Sequence, residues 1–487
     1  MHVRTRIAPS PTGFMHIGTL RMALSNYLFA KKNGGEFLIR IEDTDQKRLV
    51  PGAVENLLKT LAVFGLGHDE GPVLLADGTL SEKGPFGPYV QSQRLPMYQK
   101  YAEQLLTDGH AYRCFCTAER LEEMRTAQTA AKQTPRYDRL CLKLSAGEVS
   151  ARLTAGEPSV IRMKVPEGST TIKDLVRGEV TISHQEIDDQ VLMKSDGFPT
   201  YHLAVVVDDH HMEISHIIRG EEWLPSTPKQ TILFGMFGWK VPEFAHLPLL
   251  LNPDKTKLSK RQGDVAVEEF LQKGYLPKTL LNFIGTLGFN PKADQELYTL
   301  QELIELFDLS KVNKSGAVLN HEKLDWMNHH YLNAMGEAEF FTTLGAFSAE
   351  IDLQNELVRR AVIIERPRVN TLAEFVPAIA PYLSAEGYEP AILVWKKADV
   401  VDAKMQLAGM LEHLKMLDQK TFSEIVLLEA SVKAYITDKG LSNGNVLWPL
   451  RVALSGREKS ASPFELLWVL GKEESLKRIE KAIKIIE

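Results

Sequence analysis

The opening of the chain, residues 3–45, constrains its fold more than any other stretch. Residues 3–8 (Val-Arg-Thr-Arg-Ile-Ala) alternate and include β-branched side chains, which predicts a short strand. Pro9-Ser10-Pro11-Thr12-Gly13 then forces a loop. Leu20, Ala23, Leu24, Tyr27, Leu28 and Ala30 recur at helical spacing between Thr19 and Lys32, and Asn33-Gly34-Gly35 stops that helix. Phe37 to Ile41 reads as a second strand, with Glu42-Asp43-Thr44-Asp45 at its C-terminal end. A strand–loop–helix–strand start predicts an α/β fold with a parallel, doubly wound sheet. Such sheets bind ligands beyond the C-terminal ends of their strands.

Farther along, residues 77–93 are rich in Gly and Pro and read as loop. Residues 111–190 differ in texture, with all three cysteines and short strands at Val160–Val165, Thr170–Ile172 and Val180–Ile182. They read as an insertion between two halves of the sheet domain, 1–110 and 191–263. In the second half, Val191–Met193, Tyr201–Val207 and Ile214–Ile218 read as strands, and Asp208-Asp209 as a strand-end turn. After residue 264 the pattern becomes helical. Long amphipathic segments such as Leu353–Ile364, Leu407–Leu417 and Glu473–Glu487 fill residues 321–487, beyond a connecting region at 264–320.

The 487 residues, 44% hydrophobic, leave room for several cores. A net charge of −6 does not advertise a polyanionic partner, yet local patches rather than the sum decide such binding. Met1 to Arg6 lack the apolar core of a secretory signal, and no apolar run approaches the ~20 residues that span a bilayer. A cytoplasmic protein without a membrane partner is expected. Three cysteines in so long a chain argue against a disulfide framework.

Two segments carry chemistry. Pro9 to Gly13 before a helix leaves free backbone N–H groups at a helix N-terminus, an anion site. Gly13 and Gly18 admit a nucleotide close to the backbone, and His16 can donate to a phosphoryl oxygen. The segment Gly13 to Thr19 has the glycine spacing of a Walker loop but lacks its lysine. The second segment, Lys257-Leu258-Ser259-Lys260-Arg261, follows Asn252-Pro253-Asp254 and can neutralise a triphosphate. Alone, such a cluster is usually a solvated surface run, and its meaning comes from the partner motif.

Together these segments resemble the HIGH and KMSKS signatures of class I aminoacyl-tRNA synthetases. Arg6 to Gly13, Ile41 to Asp45, Pro199 to Leu203 and Ile218 to Trp223 narrow the resemblance to glutamyl-tRNA synthetases. Trp326 to Tyr331, Arg366-Pro367-Arg368 and Pro449 to Leu454 resemble the bacterial type. The resemblance runs colinearly along essentially the whole chain. It departs at Thr19, where the first signature ends in histidine, and at Leu258 and Arg261, both usual in the glutamate branch.

The resemblance implies a Rossmann-like catalytic domain in two halves (1–110 and 191–263) around an acceptor-binding insertion (111–190). It further implies a stem-contact region (264–320) and an all-α anticodon-binding part (321–487). The implied reaction joins glutamate to ATP with Mg2+, releases pyrophosphate, and passes glutamate to tRNA(Glu), with activation needing bound tRNA. A monomer is expected.

His16, Gly18, Thr19, Lys257 and Lys260 are the expected catalytic residues; Pro9, Gly13, Glu222, Leu250 and Ser259 join them around ATP. Glutamate needs a fixed cation for its side-chain carboxylate and an acid for its ammonium. Arg6 and Glu42 are the choices, with Ala8 and Ser10 lining the pocket and Tyr201 and Arg219 completing it by resemblance. Asp43 and Asp45 are either helix caps or ribose contacts, and His210 and His211 receive no chemistry.

Some relatives hold zinc in the insertion through Cys-x-Cys followed by Tyr-x-x-x-Cys. Cys114, Cys116, Tyr137 and Cys141 fit that form; the alternative is three reduced, buried thiols. Arg366 and Arg368 are the expected anticodon readers, or else surface arginines at a helix end. A glutaminyl-tRNA synthetase shares the catalytic motifs, but its anticodon part is expected to be a β-barrel rather than this helical tail.

Overall fold

The computed structural model describes residues 2–256, 258, 265–292, 294–385, 387–396 and 398–486. The chain forms two compact units, one of residues 1–270 and 277–321, the other of 271–276 and 322–487.

The first unit opens with β1 (Arg4–Ile7), α1 (Ile17–Lys32) and β2 (Glu36–Ile39), and β1 and β2 pair in parallel. A capless α2 (Ala53–Val63) and a hairpin, β3 (Gly71–Leu74) with β4 (Leu80–Lys83), follow. Next come α3 (Leu95–Thr107), β5 (Ala111–Cys114), α4 (Ala118–Ala130), α5 (Ala146–Thr154) and β6 (Val160–Met163). A second hairpin, β7 (Ser169–Asp174) with β8 (Gly178–Ser183), precedes β9 (Val191–Met193), α6 (Tyr201–His211), β10 (His216–Gly220), α7 (Thr227–Met236) and β11 (Glu243–Leu247).

Strand order places the site. β10 pairs in parallel with β11, and Ser215 N–H donates to Arg4 O (3.0 Å), which stitches β1 to the start of β10. β7 joins β11 at Phe244 and Asp174, so the second hairpin extends the catalytic sheet instead of standing apart from it. β5, β6 and β9 form a separate antiparallel sheet.

Three expectations are corrected. Tyr201–Val207 is the first part of α6, not a strand. Leu203 to Val207 are all buried, packed with Tyr98, Ala102, Leu105, Leu192 and Leu233. A helix buried on every side shows no 3.6-residue alternation, and its Val-rich run mimics a strand. Asp208 and Asp209 consequently lie inside a buried helix, not in a turn. Residues 77–93 also hold more than loop, namely β4 and a single helical turn at Gln91–Arg94.

The second unit is helical. Its core gathers Phe340, Phe375, Leu407, Met410, Leu428, Leu450, Leu466 and Ile479 from successive amphipathic helices. The last helix, Pro463–Ile485, starts with a capping box from Ser462 and Glu465 and kinks at Gly471 (φ 69°). No helix among the described residues is long and apolar enough to cross a membrane.

Candidate active site

A cavity of about 890 Å³ opens at the C-terminal ends of β1, β2, β10 and β11. Arg6, Ala8, Pro9, Ser10, His16, Gly18, Thr19, Glu42, Tyr201, Arg219, Glu222 and Leu250 all line it. The sheet thus brings together every described residue expected around glutamate and ATP except Gly13. Gly13 lines a smaller neighbouring cleft with Thr12 and His16. Lys257, Ser259 and Lys260 lie outside the described residues, while Leu258 between them lines the large cavity.

The first motif is fixed by its own helix. His16 is the N-cap of α1, and Gly18 N–H donates to His16 Nδ1 (2.9 Å). An N–H can only donate, so the ring carries its proton on Nε2, the nitrogen that can donate to an anion. A Cβ at Gly18 would stand 3.1 Å from Nδ1, tight enough to press on the ring where it folds onto the helix start. The second motif is tied to the first. Leu258 N–H donates to Leu250 O (3.2 Å), Ile17 N–H to Val265 O (2.8 Å) and Val267 N–H to Met15 O (3.0 Å). The chain is therefore anchored to this cavity on both sides of residues 259–264.

The amino-acid side of the cavity is a buried charge network. Arg6 Nε and Nη2 donate to the two Asp209 oxygens at 3.0 and 3.1 Å. Arg40, fully buried, bonds Asp209 Oδ1 (2.6 Å) and Glu42 Oε1 (3.0 Å). Asp208 is held by Arg94 (2.7 Å), Gln91 (2.8 Å) and Tyr98. Burial raises the Glu42 carboxyl above its ordinary range against the pull of Arg40. Asp209, although equally buried, is held below its range by Arg6 and Arg40. An ammonium arriving beside Glu42 would complete its charge balance.

Opposite, Arg219 Nη1 donates to Tyr201 Oη (3.0 Å). Burial raises the Tyr201 phenol, so its oxygen keeps its proton. On the nucleotide side, Arg21 donates to Pro248 O and Leu287 O (2.9 Å), bracing the segment before Leu250. Gly220 leaves room for the Glu222 carboxylate, which would stand 2.2 Å from a Cβ there.

Sequence reasoning missed Arg40, Asp208 and Asp209. A signal existed for Arg40: it lies two residues from Glu42 in extended chain and so shares its face. Asp209 had none, because the helix that carries it was misread.

The cysteines cluster as expected. The sulfurs of Cys114, Cys116 and Cys141 lie within 4.8 Å of one another, with Cys116 and Cys141 3.6 Å apart. Tyr137 Oη is 3.4 Å from both Cys114 Sγ and Cys116 Sγ. Ligands at about 2.3 Å from a tetrahedral zinc stand roughly 3.8 Å apart, so this donor set fits the ion. Arg120 Nη1 approaches Cys116 Sγ (3.5 Å), and Arg162 stacks over the Tyr137 ring at 4.2 Å. Burial raises Cys116 to about 11; Cys114 is lowered despite its burial, by hydrogen bonds from Tyr137 and Arg162.

The expected anticodon residues are engaged within the helical unit. Arg366 donates to Leu332 O and Met335 O and stacks over Phe340. Arg368, exposed, pairs with both Glu465 oxygens at 2.7 and 2.9 Å.

Comparison with known proteins gives the family of the chain. Residues 2–326 match the family model of class I tRNA synthetases (E and Q), catalytic domain. The glutamate–tRNA ligase of Clostridioides difficile (strain 630) is 44% identical over 497 aligned residues, covering 98% of each chain. The chain belongs to the glutamate–tRNA ligase family. A second member, from Chloroherpeton thalassium, is 46% identical over 506 aligned residues, 99% of this chain and 97% of its own. Residues 330–483 match an anticodon binding domain. Among solved structures, a glutamate–tRNA ligase from Elizabethkingia meningosepticum in complex with its amino acid superposes with a TM-score of 0.88 at 34% identity, covering all of both chains. The family's mixed α/β catalytic domain and helical anticodon domain are both present here.

Proposed function

We propose that this chain is a glutamate–tRNA ligase: it joins glutamate to AMP and passes it to the 3′ end of tRNA(Glu). The observation that carries this reading is the convergence, in one cavity, of His16 at a helix N-terminus with Arg6, Arg219, Tyr201 and Glu42.

Arg6 receives the side-chain carboxylate of glutamate, and Glu42 its ammonium. Arg219 and Tyr201 close the same pocket, with Ala8 and Ser10 along its wall. The α-carboxylate attacks the α-phosphorus of ATP; a new O–P bond forms and pyrophosphate leaves. His16 Nε2–H and the N-terminus of α1 meet the phosphate oxygens, Pro9, Gly18, Glu222 and Leu250 frame the nucleotide, and Lys257, Ser259 and Lys260 attend the leaving pyrophosphate. Mg2+ neutralises phosphate charge when bound. Among the described residues no carboxylate cluster forms a cage for it, so it fits as an ion carried by the triphosphate. A terminal ribose hydroxyl of tRNA then attacks the activated carbonyl, and AMP leaves.

Cys114, Cys116, Cys141 and Tyr137 would hold one structural zinc that cross-links residues 111–190, the segment read as acceptor-binding. Residues 191–263 complete the catalytic domain, 264–320 contact the stem, and 321–487 read the anticodon, with Arg366 and Arg368 as base contacts. The protein acts as a monomer in the cytoplasm, where its tRNA is used.

The test is aminoacylation of tRNA(Glu) transcript with labelled glutamate. Glutamate-dependent, alkali-labile label on the tRNA is the expected result; label from glutamine alone contradicts it.

A further inference from the structure

Arg219 is held from behind. Its Nε donates to His246 Nε2 (3.1 Å) and its Nη2 to Thr227 Oγ1 (2.8 Å), leaving Nη1 to reach Tyr201 at the cavity. His246 in turn bonds Asp174 Oδ2 through Nδ1 (2.6 Å). Both partners of that pair are buried with no side-chain exposure. Asp174 is itself immobilised, since the backbone N–H groups of Val176 (2.9 Å), Arg177 (2.8 Å) and His246 (3.1 Å) donate to it.

The donor inventory leaves one arrangement. Asp174, a carboxylate, only accepts, so His246 Nδ1 carries a proton. Arg219 Nε–H only donates, so His246 Nε2 carries none. The imidazole is therefore neutral and fixed in the Nδ1–H tautomer. A protonated ring, or the other tautomer, would set an N–H against the arginine's N–H. The charged groups around the ring are Asp174 on β7, Arg177 in the β7–β8 turn and Arg219 on β10; Thr227 on α7 and Phe244 on β11 complete its surroundings.

We propose that Asp174 and His246 are positioning residues for glutamate selection: through the Nδ1–H tautomer they hold the Arg219 guanidinium at the angle that presents Nη1 to the substrate. The inference rests on the glutamate-ligase reading above, in which Arg219 faces the amino acid. It also gives the β7–β8 hairpin, which the sequence places in the insertion, a part in amino-acid recognition.

The test uses two isosteric halves of the imidazole. Asparagine at 246 keeps a donor near the Nδ1 position and loses the acceptor for Arg219; glutamine keeps an oxygen near the Nε2 position. His246→Asn is expected to raise KM for glutamate about 10-fold or more, the loss of one hydrogen bond to a charged group, with KM for ATP within about 2-fold. His246→Gln is expected to stay within about 3-fold of wild type. Equal KM values for the two variants, whether raised or unchanged, overturn the proposal. Arg219→Ala in the same assay separates the two readings. If it leaves glutamate KM unchanged, Arg219 does not face substrate and the underlying assignment fails. If it raises KM while His246→Asn does not, the positioning role alone fails. Should the variants not fold, 15N-histidine spectra of the wild-type enzyme decide: a protonated Nδ1 and bare Nε2 at His246 support the proposal, and a protonated Nε2 overturns it.

Discussion

Asp209 grips Arg6 with both carboxylate oxygens, at 3.0 Å from Nε and 3.1 Å from Nη2, in a site almost without solvent. This contact turns a flexible arginine into a fixed fork at the end of β1. The same carboxylate bonds Arg40, so removing it leaves two buried guanidinium groups short of a partner. Asp209→Ala is expected to destabilise the protein by about 3–5 kcal/mol, because breaking a buried ion pair strands its charge. Where the variant folds, KM for glutamate should rise with little change in KM for ATP. Chemical denaturation and steady-state kinetics check both outcomes, and a stability within 1 kcal/mol (about the worth of an exposed pair) would show that the pairing is not stabilising.

The fold was largely legible from the chain. The β1–α1–β2 opening follows from Val3 to Ile41, and the helical second unit from its amphipathic spacing. What was not legible has two physical sources. Periodicity reports a boundary between core and solvent, and α6 has none along Leu203 to Asp209. Misreading that helix hid Asp209. Asp174 and His246 were hidden for a different reason: a lone acid and a lone histidine, 72 positions apart, carry no spacing signal until the sheet brings β7 beside β11.

The cysteine cluster should carry metal. Purified, metal-replete protein is expected to hold about one equivalent of zinc by elemental analysis, consistent with a four-donor tetrahedral site. Cys141→Ser should lower that content and loosen residues 111–190, measured as faster amide exchange there with little change in the helical unit. Protein free of zinc, with its thiols unmodified, would leave Cys114, Cys116 and Cys141 as reduced core residues.

Acid should weaken the fold before the carboxylates titrate. Burial pushes His68 down to about 4 and His202 down to about 3, and each has a sealed ring nitrogen without a partner. Burial lowers His210, His211, His216, His246 and His413 as well. In the unfolded chain these rings titrate near ~6.5. Below that pH the unfolded state takes up protons that the native state refuses, so stability falls as pH falls. Denaturation midpoints at pH 7.5, 6.5 and 5.5 should therefore fall modestly over the first interval and more steeply over the second, roughly the window between a histidine and a carboxylate. The double variant His68→Asn/His202→Asn should lessen the drop over the second interval, and the five remaining histidines should keep part of it.

Arg368 is expected to exchange Glu465 for an anticodon base. Arg368→Ala should weaken tRNA binding about 10-fold or more, in the range of a bidentate arginine–base contact, and leave KM for glutamate and ATP unchanged. Filter binding across a salt titration checks this. Affinity should fall steeply with salt for wild type and variant alike, because phosphate contacts dominate.

In the proposed reaction one cavity activates glutamate. ATP–pyrophosphate exchange, run with glutamate and with glutamine, each with and without tRNA(Glu), tests it most directly. Exchange is expected with glutamate when tRNA is present and not with glutamine. Exchange with glutamine only, or none with either amino acid in the presence of tRNA, would contradict it.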